Sequence, residues 1–273
     1  MSMVRNEPYI ARMITANARF QQVSLKQPTV LITVAKSGSH LVRNILCMFM
    51  PMEQQDYSHT DLAPIRENRI ITSNTFRWGH IGITPNAANV LQHAKKILLV
   101  RDPYDWVLSM ARFTTTYLLS GRERNHQPHP HDDIYRNKGV TIEELFSIII
   151  TGTDVRNQHP SLRSAYVPIA VGWKDLDVHM VKYETVCLHV KALREGTDND
   201  ETREYFRQLV GAFNIALPDD WKERVIAGAD KRLSMTAREN LDHNYDIPAV
   251  LPDRFKRLVD FTVPGLREYL GYE

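Results

Sequence analysis

Four short runs along the chain are nearly continuous in apolar or β-branched residues: TVLITV (29–34), RIITSN (69–74), KKILLV (95–100) and VHMVKY (178–183). Their centres show little polar alternation, as expected of strands covered on both faces in a parallel sheet. Helical patterns lie between them. Residues 38–50 follow the first run, 85–94 precede the third and 103–120 follow it. Thr141 opens TIEELFSIII with Glu144 three residues on, a capping-box arrangement. Residues 198–214 place Tyr205, Phe206, Leu209, Val210 and Phe213 at helical spacing. Strands alternating with helices predict an α/β fold, a doubly wound parallel sheet flanked by helices. No internal repeat or low-complexity linker divides the chain, so one domain over 1–273 is expected. The stretch 121–140, GRERNHQPHPHDDIYRNKGV, is polar and aperiodic, the character of a lid or acceptor loop. His126, His129, His131 and Asp132 within it fit no defined metal spacing.

Composition narrows the classes. The apolar fraction of 43% and charged fraction of 24% are those of an ordinary globular protein. A formal charge of only +2 argues against a nucleic-acid partner held by bulk electrostatics, and leaves room for a local basic pocket. Cys47 and Cys187 lie in apolar surroundings and read as packed, reduced thiols. The N-terminal stretch has spread arginines and no apolar core, unlike a signal peptide. The longest apolar run, LFSIII (145–150), is too short to span a bilayer. A soluble cytoplasmic protein is the expectation.

The chemistry concentrates after the first strand. In ITVAKSGSHLVRNIL (32–46), a strand passes through Ala35-Lys36-Ser37-Gly38-Ser39-His40 into an amphipathic helix. Such a turn aims backbone N–H groups and the positive end of a helix dipole at one spot, where phosphate commonly binds. Lys36 adds a charge, Ser37, Ser39 and His40 add donors, and Gly38 permits close approach. The loop is not G-x-x-x-x-G-K-[ST], because the first glycine is missing and Lys36 precedes Gly38. A magnesium–nucleoside triphosphate machine is therefore disfavoured. On these residues alone, an anion site and a strand–helix turn that happens to carry a lysine are equal readings. A second segment, Arg101-Asp102-Pro103-Tyr104-Asp105-Trp106-Val107-Leu108-Ser109, follows the third strand. Arg101 falls at a strand's C-terminal end, where ligands bind in open α/β sheets. Asp102 suits a helix cap and Pro103 its first turn. Ser109 lies two turns in, so that arginine and serine together suit a second phosphate.

These segments resemble a known family. ITVAKSGSHLV is similar to the phosphosulfate loop Y-P-K-S-G-T-T-W of the PAPS-dependent sulfotransferases, and VRDPYDWVLS to their 3′-phosphate segment R-[ND]-P-x-D-x-x-x-S. MVKYET (180–185) resembles the family's late strand ending in Tyr-Glu, and LREYLGYE its closing helix. The resemblance covers roughly residues 29–273. It implies sulfuryl transfer from 3′-phosphoadenosine 5′-phosphosulfate (PAPS) to a hydroxyl or amine of a small-molecule or glycan acceptor, with no metal required. By the same resemblance Lys36 assists the leaving phosphate, and Ser37, Gly38, Ser39 and His40 hold the 5′-phosphate. Arg101 and Ser109 take the 3′-phosphate, and Tyr183 the adenine. His80, in the segment RIITSNTFRWGHIG that resembles the family's strand followed by K-T-H, is the implied base, with His59 as its rival.

There are departures. Trp78 stands where the family has lysine two residues before the histidine, with Arg77 as a possible replacement charge, and Leu41 replaces the loop's tryptophan. The late R-K-G-x-x-G segment is missing, and Lys231 or Arg232 in ADKRLSMTAREN (229–240) are the nearby basic residues. Acceptor loops are expected at 51–68, 78–90 and 121–140. There Tyr57, Phe76, Trp78 and Tyr135 suit a flat apolar acceptor or equally pack under a lid. DFTVPGLRE half resembles the family's dimer motif with altered spacing, which leaves the oligomeric state open. The competing readings are a P-loop kinase of a small metabolite and an inactive homologue that binds the nucleotide.

Overall fold

The computed structural model describes residues 7–56, 73–115, 139–152, 161–234 and 246–273. The elements used below are α1 (Glu7–Asn17), β1 (Thr29–Thr33), α2 (Ser39–Cys47), β2 (Phe76–Gly79), α3 (Pro85–Val90), β3 (Lys95–Val100), α4 (Pro103–Thr114), α5 (Ile142–Thr151), α6 (Leu162–Tyr166), β4 (His179–Lys182), α7 (Tyr183–Glu195), α8 (Asp200–Gly211), α9 (Trp221–Gly228), α10 (Asp253–Thr262) and α11 (Leu266–Tyr269). Contacts divide the chain into two compact units. One is Met1–Val100 with Pro168–Ala237, and the other Arg101–Val167 with Arg238–Glu273. Among the described residues no helix is long and apolar enough to cross a membrane.

The first unit holds the sheet. Its strands are all parallel, in the order β2-β1-β3-β4. The chain therefore leaves β1 toward β2 on one side and returns to β3 on the other. That reversal opens a crevice at the C-terminal strand ends, where such sheets bind ligands. β1 is buried along its whole length, as its unbroken run of apolar and threonine residues requires. β3 occupies KKILLV without a residue's difference from the expectation. α2, α8 and α9 contribute Ile45, Phe206, Leu209, Val210 and Val225 to the core. α9 lies close on α2: a Cβ on Gly228 would fall 2.5 Å from Ile45 Cα and 2.7 Å from Asn44 O.

Several expectations shift. Of the expected strand RIITSN (69–74), only the last two residues can be compared. Residues 69–72 lie outside the described residues, Ser73 and Asn74 form a bend, and the strand is Phe76–Gly79. Its alternation is short and rests on two aromatics: Phe76 and Trp78 are buried, while Arg77 is partly exposed. α2 stops at Cys47 instead of residue 50, because Met48 and Phe49 close tight turns onto Ile45 and Leu46 ahead of Pro51. α3 stops at Val90 instead of 94, and Lys96, reaching back from β3, donates to the carbonyls of Leu91 and Ala94 at 3.3 and 2.9 Å. Tyr183 starts α7 and does not extend β4. The expected helix over 103–120 runs from Pro103 to Thr114, and 116–120 lie outside the described residues. So do Tyr57, His59, Tyr135, the three loop histidines, Asp132 and all but the last two residues of the expected lid.

Among the described residues the second unit's elements are helices. α4 packs with α5, and Phe146 of α5 meets Phe255 of α10 edge to face at 5.2 Å. The capping box at Thr141 is formed in both directions: Thr141 N–H donates to the Glu144 carboxylate at 2.8 Å, and Glu144 N–H to Thr141 Oγ1 at 3.2 Å. Asp102 caps α4 through Tyr104 N–H at 2.8 Å and pairs with Arg267 at 3.0 Å.

Candidate functional site

The turn after β1 is built around two left-handed residues. Lys36 has φ 61° and Gly38 φ 88°. For lysine this conformation costs roughly 1–2 kcal/mol, so its environment must hold it there. Ser37 between them is fully buried; its N–H and its hydroxyl both donate to Val34 O, at 3.2 and 2.6 Å. The Ser37 hydroxyl, expected to hold the 5′-phosphate, is directed at Val34 O in this geometry and closes the turn. Ala35, Lys36, Gly38, Ser39 and His40 are partly exposed. Gly38 is the residue before α2, and its carbonyl accepts from Leu41 and Val42 N–H. The first turn of α2 carries no acidic residue that would offset its positive dipole end from within the helix.

Tyr183, the expected adenine contact, comes from the junction of β4 and α7 and lays its ring on this turn. A Cβ on Gly38 would sit 2.1 Å from one ring carbon and 2.3 Å from the next. Glycine is thus required twice at position 38, by its backbone angle and by the ring.

His80 immediately follows β2, whose Gly79 is paired with Ile32 of β1. That places it beside the last residue of β1. His80 Nδ1 lies 2.9 Å from the carbonyl oxygen of Thr33 and 2.9 Å from its Oγ1. Thr33 is fully buried, and its hydroxyl reaches Gly79 O at 3.4 Å. Thr33 carries no sequence signal, since a β-branched residue is ordinary in a strand. His40 meets Trp78 edge to face at 5.5 Å and has Ser234 Oγ 3.5 Å from its Nδ1.

Phe76 and Trp78, which in sequence suit an acceptor or packing under a lid equally, belong to the core, at 1% and 4% exposure. The Arg43 guanidinium lies 4.8 Å over Trp78 and 5.1 Å over Tyr9, and it donates to Asn44 Oδ1 at 2.8 and 3.0 Å. Trp78 therefore packs a buried cation where the family pattern has a lysine. Arg77 faces Asp56 at 3.8 Å. Arg232 is exposed and paired with Asp230 at 2.6 Å, and that guanidinium holds the Asp230 carboxyl below its usual range.

Arg101 and Ser109 belong to the second unit. Arg101 is the residue after β3; its carbonyl accepts from Tyr166 OH at 2.7 Å and its side chain is partly exposed. Ser109 is a partly exposed residue of α4. Lys36, Ser37, Gly38, Ser39, His40, His80 and Tyr183 all belong to the first. Among the described residues no cluster of three or more His, Cys, Asp or Glu is placed to hold a metal.

No family model matches the chain, and no curated protein matches it in sequence. Among the solved structures similar to it are the following two. One is the crystal structure of mouse sulfotransferase SULT7A1 complexed with PAP, at 15% identity and TM-score 0.47, covering 94% of this chain and 83% of that one. The other is retinol dehydratase in complex with androsterone and inactive cofactor PAP, at 12% identity and TM-score 0.47, covering 98% and 87%.

Proposed function

We propose that this chain is a sulfotransferase that uses PAPS as co-substrate and delivers its sulfuryl group to a hydroxyl or amine of a small-molecule or glycan acceptor. The observation that carries the reading is the placement of the motif residues on the sheet. The segment resembling a phosphosulfate loop is the strained turn between β1 and α2, and His80 stands at the end of the neighbouring strand, bonded to the last residue of β1. A lysine and a ring nitrogen are thereby set at adjacent parallel strand ends, where an anionic donor and its acceptor would meet.

In this reading Lys36 neutralises charge on the departing phosphate. Gly38, Ser39 and His40, with the N-terminus of α2, hold the 5′-phosphate, and Ser37 keeps the turn in shape. Arg101 and Ser109 bind the 3′-phosphate, and Tyr183 offers its ring to adenine. His80 takes the acceptor proton as the acceptor oxygen or nitrogen bonds to sulfur and the bond from sulfur to the 5′-phosphate oxygen breaks. Adenosine 3′,5′-bisphosphate (PAP) leaves. Catalysis is then positioning plus electrostatic stabilisation of the leaving group.

The test is calorimetric titration with PAP, with AMP and ATP–Mg²⁺ as controls. PAP is expected to bind best. Replacing a charge-assisted contact is expected to cost roughly 1.5–3 kcal/mol, or ~10–150-fold in Kd, in Arg101→Ala and in Lys36→Gly. The glycine substitution removes the charge and keeps the backbone angle. His80→Ala is expected to retain PAP binding. A preference for ATP–Mg²⁺, or unchanged PAP affinity in Arg101→Ala, overturns the reading.

A further inference from the structure

Resting on the reading of His80 as base, we infer that Thr33 is its positioning residue: the strand-end threonine fixes the imidazole with the proton on Nδ1, so that Nε2 is the atom that accepts the acceptor's proton. A carbonyl oxygen only accepts. With Thr33 O 2.9 Å from Nδ1, the contact is attractive when Nδ1 carries the hydrogen and repulsive when it carries the lone pair. Thr33 Oγ1, also at 2.9 Å, accepts the same proton as a second branch and has Gly79 O, at 3.4 Å, toward which to turn its own hydrogen. Both oxygens, one backbone and one side chain, belong to one fully buried residue of an interior strand, so the ring is held from the sheet by a residue that burial fixes in place. Histidine bases are commonly oriented this way, through the nitrogen that does not react.

The same geometry explains why the base follows β2 directly. A residue further along the loop would lose the strand pairing of Ile32 with Gly79 that sets the ring beside Thr33. It also gives the hydroxyl a purpose. Valine would fill the same strand position equally well by size and β-propensity, but would leave one branch of the Nδ1 bond unmade.

The experiment reads the ring itself in the ligand-free protein and needs neither PAPS nor an acceptor. Histidine labelled with ¹⁵N and ¹³C is observed by NMR at a pH above the imidazole range, and His80 is assigned by its loss in His80→Gln. Free histidine prefers the Nε2–H form, so a predominant Nδ1–H form at His80 is expected and diagnostic. Thr33→Val is expected to shift the tautomer ratio about tenfold toward Nε2–H, and Thr33→Ser to restore the wild-type ratio. A wild-type ring that is mainly Nε2–H overturns the inference. So does a Thr33→Val ratio equal to wild type. Failure of PAP to bind, by contrast, would remove the sulfotransferase reading and leave these spectra unchanged.

Discussion

Gly38→Ala tests whether the turn and Tyr183 are built as one object. Two penalties are expected at this position. Alanine at φ 88° costs roughly 1–2 kcal/mol of backbone energy. Its Cβ would also lie 2.1 and 2.3 Å from two carbons of the Tyr183 ring, so the ring or the turn must move. Overpacking of this kind costs about 1–3 kcal/mol. Gly196 separates the two terms. It has φ 67° at the end of α7 and nothing within 4 Å of an added Cβ, so Gly196→Ala carries only the backbone penalty. The excess of Gly38→Ala over Gly196→Ala, from urea unfolding, is expected to be about 1–3 kcal/mol. In a Tyr183→Ala background that excess should vanish, giving an interaction energy of the same size in the double-mutant cycle. Equal costs for Gly38→Ala with and without the tyrosine ring would refute the contact. Equal costs at Gly38 and Gly196 would refute the steric argument altogether.

Two further outcomes follow from packing and burial. Gly228→Ala sets the Cβ against the backbone of α2, 2.5 Å from Ile45 Cα, and backbone yields less than side chain. The overpacking cost of about 1–3 kcal/mol is expected to exceed the roughly 1 kcal/mol that alanine gains over glycine in a helix. Gly211→Ala, with nothing within 4 Å, should be neutral or stabilising in the same urea titration. His189 is buried, stacked on Tyr205 at 4.3 Å and bonded to Thr202. Burial lowers its pKa from 6.5, against a smaller opposing pull from Glu201, and His179 is lowered in the same way. The unfolded chain therefore binds more protons below about pH 6.5, so stability is full above that value and falls as pH drops through it. His189→Gln should make the fall between pH 7 and pH 5.5 shallower, and an unchanged slope would assign the acid sensitivity elsewhere.

What could be read from the chain, and what could not, follows from the range of the forces involved. KKILLV was legible to the residue because β3 is buried from Lys96 onward, so each of those positions had to be apolar or, at Lys96, able to reach a carbonyl, while Lys95 opens the strand partly exposed. The capping box at Thr141 was legible because it closes within four residues. FRWG was not. Its alternation is a single aromatic pair around Arg77, and nothing within the segment says whether Phe76 and Trp78 face a core or a substrate. That was decided by Phe213, 5.6 Å from Phe76, and by Arg43 over Trp78, residues 137 and 35 positions away in sequence.

The same distinction runs through the site. Residue type told which groups stand near the strand ends, but only the turn told where each points. Ser37 and Ser39 are the same residue two positions apart, yet Ser37 is sealed under the loop and Ser39 opens α2 at the surface. The left-handed angle at Lys36 has no signature at all, since lysine is an improbable choice for it. Thr33 carries this furthest. Within β1 it reads as one more β-branched residue, because a strand accepts threonine and valine almost alike. Its value comes from ending the strand: one residue earlier its carbonyl would lie deeper in the sheet's pairing with β2, and one later it would belong to the turn. A functional residue disguised as ordinary strand composition can be found only once the neighbouring strand has placed His80 against it.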